Sequence, residues 1–120
     1  MSASSSGNIV AFPTSKKKKA APIVSFDRRE LDMLLQLYSR HVGTGEWRDY
    51  AMDMLNDRAV FSVFKRTSEV PLYTIEKTPK LARRQGQWSV VNAAGLILKR
   101  GHDLKTVLRI FDKKPKLVSF

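Results

Sequence analysis

The sequence contains no cysteine among its 120 residues. That absence excludes disulfides, thiolate metal sites and cysteine nucleophiles. Histidine is nearly as scarce. His41 and His102 stand far apart, with no ligand-like spacing, so no metal site is expected. No apolar run approaches the roughly eighteen residues a transmembrane helix needs, and no membrane partner is expected. The N-terminus, Met1-Ser-Ala-Ser-Ser-Ser-Gly-Asn, lacks the basic start and apolar stretch of a secretory signal. No arginine precedes Arg28, which argues against a mitochondrial transit peptide. The cytoplasm is the expected compartment.

Catalytic signatures are missing too. There is no Gly-x-Ser-x-Gly elbow and no P-loop. Gly43-Thr-Gly45 is too short to cradle a phosphate and reads as a helix stop. Asp49, Asp53 and Asp57 recur at every fourth position. On a strand followed by a turn they do not converge, and they are expected solvated or paired with Arg48 and Arg58. The two histidines fall on a helix and at a strand-to-helix junction, with no nucleophile held beside either. No catalytic residue and no cofactor is expected, and the chain does not read as an enzyme.

What the chain does have is positive charge, a formal +11. It is unevenly placed. Residues 1–24 carry only Lys16 to Lys19, residues 25–60 carry five basic and seven acidic groups, and residues 61–120 carry thirteen basic and four acidic. A chain polarised in this way is expected to present a basic face to polyanions. Residues 1–24 are rich in Ser, Ala, Pro and Lys and read as a disordered tail. Its lysine run is a solubilising tail, a polyanion-binding arm or a nuclear-import signal. Residues 25–120 read as one domain.

Within that domain the hydrophobic period changes twice. Leu31, Leu34, Leu35, Tyr38 and Val42 fall at helical spacing. Asp27 and Glu30 form a capping box ahead of them, and Phe26 and Leu31 a hydrophobic staple. A helix is therefore predicted over about 27–42, ended by Gly43 and Gly45. Tyr50, Met52 and Met54 then alternate with Ala51, Asp53 and Leu55, as a half-buried strand does. Asn56-Asp57 marks a turn. Further strands are predicted at 59–66, 72–77, 88–91 and 96–100, with a left-handed turn ending at Gly95. A single helix over 90–99 is rejected, because Gly95 would sit inside it. Leu104, Val107, Leu108 and Phe111 define a short last helix, with Asp103 at its positive end. The segment through Phe120 is either loose or an edge strand. The fold class is thus α+β: an N-terminal helix, an antiparallel sheet of about five strands and a short C-terminal helix. Both helices are expected on one sheet face, leaving the other with less cover.

Several stretches carry a resemblance. They are Glu46-Trp-Arg-Asp-Tyr50, Arg58-Ala-Val-Phe-Ser-Val-Phe-Lys65, Pro71-Leu-Tyr, Ile75-Glu-Lys77, Pro79-Lys-Leu-Ala-Arg83 and Ile97-Leu-Lys-Arg-Gly-His-Asp-Leu104. Through them the chain, from about Phe26 to Val118, resembles an uncharacterised bacterial family catalogued only as a domain of unknown function. The resemblance brings no activity and no residue roles. It implies a bacterial cytoplasmic protein, which weakens the nuclear-import reading of the lysines.

The candidate binding residues are the cations of the sheet region: Lys65, Arg66, Lys77, Lys80, Arg83, Arg84, Lys99, Arg100 and His102. Lys99-Arg-Gly-His-Asp103 is the sharpest local feature. Two cations end a strand, a glycine turns the backbone, and a histidine precedes a helix start whose free N–H groups favour an anion. The bland alternative is a turn whose His and Asp cap the helix. Tyr73, Trp88, Phe61 and Phe64 lie among the cations in sequence, as a stacking platform would need, although such rings are more often core. The leading expectation is a small accessory protein that binds nucleic acid or ribonucleoprotein through phosphate contacts. The alternative is an interaction or regulatory module that docks an acidic partner, or a second copy, through an exposed sheet face or edge.

Overall fold

The structure is a computed structural model that describes residues 23–65 and 70–112. Helix α1 (Arg28–Gly43) opens the fold. The strands β1 (Asp49–Met54), β2 (Ala59–Phe64), β3 (Tyr73–Lys77), β4 (Trp88–Asn92) and β5 (Ile97–Gly101) follow. Helix α2 (Leu104–Leu108) runs into a 3-10 turn at Arg109–Asp112, and a second 3-10 turn covers Pro79–Leu81. The strands form one antiparallel meander in the order β1-β2-β3-β4-β5. The expected α+β class and element order are those observed. Residues 1–22, read as a disordered tail, and residues from 113 on lie outside the described residues. Val24, assigned by sequence to the tail, packs against the core and donates its N–H to the Leu55 carbonyl at 2.8 Å.

The cap on α1 is the one its sequence encodes. The Asp27 carboxylate accepts from the Glu30 N–H at 2.8 Å, and Glu30 Oε1 accepts from the Asp27 N–H at 2.8 Å. Each side chain satisfies a helix-end donor that would otherwise lack a partner. Leu34 and Leu37 then fall on the buried face of α1.

Register sorts the sheet into two faces. Met52, Phe61, Ile75, Val90 and Lys99 stand in one cross-strand row. Ala59, Lys77 and Trp88 share that face. Phe61, Ile75 and Val90 are fully buried, with Val63, Ala59 and Trp88 beside them. Both helices cover this side. From α1, Phe26 just ahead of the helix stacks on Trp88, and Tyr38 meets Tyr50 edge-on at 4.8 Å. From α2, Leu104, Val107 and Leu108 complete the core. Among the described residues, the opposite face carries no helix. Its central row is Ala51, Ser62, Thr74, Val91 and Ile97, small or β-branched residues that suit an open sheet surface.

One close approach fixes the long connection between β3 and β4. Gly86 has φ +102, and a Cβ there would lie 2.3 Å from the Gly101 backbone. No side chain fits, and L residues seldom adopt that φ. Gly95 also has a positive φ, +87, but open space around it. Gly86→Ala is therefore expected to destabilise the fold by about 2 kcal/mol or more, since backbone must move. Gly95→Ala is expected to cost only about 1 kcal/mol. Urea denaturation of both variants checks the difference; equal costs would mean the two backbones do not touch.

A candidate polyanion-binding surface

The Gly86 contact brings two cationic segments together. The connection 78–87 folds against the end of β5. There the His102 ring donates from Nδ1 to the Ala82 carbonyl at 3.0 Å. A carbonyl can only accept, so Nδ1 carries the proton. Nε2 is left to accept or, in the imidazolium, to donate. Arg100 makes a long contact of 3.5 Å to the Gly86 carbonyl. Lys80, Arg83 and Arg84 ride on the same connection and are exposed. Lys80, Arg83, Arg84, Arg100 and His102 are thus gathered at one end of the sheet. None of them has a carboxylate within 4.0 Å among the described residues. Asp103 sits next in sequence, but its carboxylate is committed to the helix start. The Thr106 N–H and then the Thr106 hydroxyl donate to it, at 3.0 and 2.9 Å, and hold its carboxyl below the usual range. Asp103 therefore caps the helix, as the bland alternative had it, while the His102 side chain ties two loops.

The remaining sequence candidates are placed elsewhere. Lys77 points to the helix-covered face. Its Nζ lies 2.7 Å from Glu30 Oε1 and 3.0 Å from the Ser25 carbonyl, and 5.8 Å from the Trp88 ring centroid. Both partners of this ion pair are only 15% exposed, so it is a structural tie between β3 and α1 and is spent within the fold. Lys65 follows β2 at the opposite end of the sheet from Ala82. Six residues of strand separate the two ends, about 20 Å. Lys99 is exposed midway along β5 on the helix-bearing side. Arg66 lies outside the described residues.

The rings do not line this surface. Phe61 and Trp88 are buried in the core. Tyr73 is half-buried between Trp47 and Phe111. Phe64 is half-buried on the open face near Lys65. Arg58 turns to Glu76 at 3.5 Å rather than to a neighbouring aspartate. Among the described residues no group of three His, Asp or Glu could hold a metal ion. No described helix is long and apolar enough to cross a membrane.

The other histidine is structural. The His41 ring stacks on Trp47 at 4.2 Å, and its Nδ1 donates to Glu46 Oε1 at 2.5 Å. This contact binds the end of α1 to the loop that leads into β1. The donation from His41, then that from Thr44, holds the Glu46 carboxyl below its ordinary pKa. A depressed carboxylate stabilises the fold above its unfolded pKa, and that contribution is lost as pH falls through the folded value. Glu46→Gln is expected to be less stable than wild type near pH 7, with the gap closing below about pH 4. Denaturation midpoints across this range check it; a gap independent of pH would refute it.

A family model described as a protein of unknown function, DUF2794, matches residues 24–108. No curated protein and no solved structure matches the chain.

Proposed function

The chain belongs to the DUF2794 family of proteins of unknown function, and from that premise we propose that it is a small cytoplasmic accessory protein that binds nucleic acid or ribonucleoprotein through phosphate contacts. The observation that supports this reading is the cluster of Lys80, Arg83, Arg84, Arg100 and His102, held at one sheet end by the His102 contact to Ala82 and without carboxylate partners among the described residues. Cations in that state keep their full attraction for a polyanion, because no internal ion pair must be broken first. His102 adds a charge when protonated. With Phe61 and Trp88 in the core, contact is to the backbone rather than by base stacking, so sequence preference is weak.

A salt titration of RNA binding tests the reading. Affinity is expected to fall linearly on a log–log plot, by about 0.7 of a log unit per phosphate neutralised and per decade of salt for a single strand. Replacing Arg83 and Arg84 together by Ala lowers the slope by roughly one to two. Lys65→Ala, at the far end of the sheet, leaves it nearly unchanged. No binding at low salt, or binding indifferent to salt, would overturn the proposal.

A further inference from the structure

The two edges of the sheet differ in kind. Strand β1 is regular and displays Asp49, Ala51 and Asp53 toward the open face. Among the described residues, strand β5 pairs only with β4. It is entered through three consecutive large apolar residues, Leu96, Ile97 and Leu98, which are 63%, 53% and 40% exposed. Exposed apolar side chains on an outer strand are what folded proteins ordinarily avoid, since the edge also offers unpaired N–H and C=O groups. Register identifies a further feature. Val90 pairs with Lys99 and Val91 with Ile97, so Leu98 is the extra residue of a β-bulge. A bulge breaks the flat ladder and limits pairing to a short stretch. Beyond it come Lys99 and Arg100, neither of which has a carboxylate partner among the described residues. The edge is therefore short, apolar at its start and cationic toward its end.

We propose that β5 is the docking edge for a short extended protein segment that is apolar in one half and acidic in the other, added beside it as an outer strand. Main-chain hydrogen bonds supply part of the affinity, as in strand addition generally. The apolar side chains of the segment cover Ile97 and Leu98, and its carboxylates meet Lys99 and Arg100. Charge selects this occupant over a second copy. Pairing β5 with itself brings together the cationic edges of two chains that each carry +11. Pairing β5 with β1 of another copy matches charge, but as a head-to-tail contact it leads to open-ended assembly. Nucleic acid has no apolar complement to the Leu96–Leu98 run. Arg100 belongs to both surfaces, but Ile97 and Leu98 belong to the docking edge alone and Lys80, Arg83 and Arg84 to the phosphate surface alone, so variants at these positions test the two proposals separately.

The test is fluorescence anisotropy on the full chain with a labelled synthetic peptide in which a run of valines adjoins a run of glutamates. Saturable binding is expected. Peptide N-methylated on every amide has no N–H left to pair on either edge, and its binding to the wild-type chain is expected to be weaker by about tenfold or more. Replacing Ile97 and Leu98 together by Ser is expected to weaken the unmodified peptide by a similar factor, about tenfold, while the salt-dependent RNA binding is retained. Circular dichroism confirms that this variant folds, and the methylated-peptide comparison does not depend on it. No peptide binding, or equal binding of the methylated and unmodified peptides, would overturn the proposal. So would light scattering that shows self-association of the wild-type chain abolished by the same serine replacements, because a second copy would then own the edge.

Discussion

Phe61 and Ile75 lie at the centre of a five-stranded sheet, and both are fully buried. They are buried from one side only. The helices α1 and α2 sit on the same face, with Leu34, Leu37, Leu104 and Val107 closing over the strands. Strand residues alternate between faces, so this single burial decision assigns nearly every other side chain of the sheet. Lys77 shares a face with Phe61's row and is drawn under α1, where Glu30 and the Ser25 carbonyl satisfy it. Arg100, one residue out of phase with Lys99, falls on the open face. The distribution of charge over the surface is thus a consequence of packing the apolar residues.

The same constraint explains why net charge overstates the contiguous cationic surface. Nine candidates were legible as cations, but a count along the chain ignores where strands end. Lys65 and Arg83 both follow strand ends, at opposite limits of the sheet. Lys77 is spent internally. What remains together is the group on the β3–β4 connection and the end of β5. It depends on Gly86 lying against Gly101, where even a methyl group would clash. Two glycines with no charge of their own therefore position the cations.

Local signals were readable and long-range ones were not. The Asp27–Glu30 capping box, the period-two stretches from Tyr50 onward and the left-handed Gly95 each depend on residues a few positions apart, and each is realised. The rejected helix over 90–99 is a β-hairpin. The Glu30–Lys77 pair spans 47 residues and the His102–Ala82 contact 20. Neither has a sequence signature, because a carbonyl acceptor is present at every position and a carboxylate–lysine pair can be drawn between many residues. Arg58 illustrates the point: Asp57 is its neighbour in sequence, yet Glu76 is its partner across the β2–β3 ladder. Leu96-Ile-Leu98 is too apolar for an outer strand that faces water, and the meander order makes this strand the last of the sheet.

That run also separates two kinds of surface on one small domain. At the Arg83 end, the proposed affinity rests on charge alone and would be screened by salt. At the Leu96–Leu98 end it depends on apolar area and main-chain pairing, which salt screens much less. The bulge at Leu98 lies between them. It shortens the exposed ladder, which lowers the risk of unspecific edge pairing, and it steps the register from Ile97 to Lys99 within one residue of β4. Under the two proposals, a ligand that engages both segments carries negative charge and apolar side chains on an extended backbone. Nucleic acid meets only the first requirement and an apolar strand only the second, so the proposed surfaces would distinguish the two ligand classes without any side chain dedicated to exclusion.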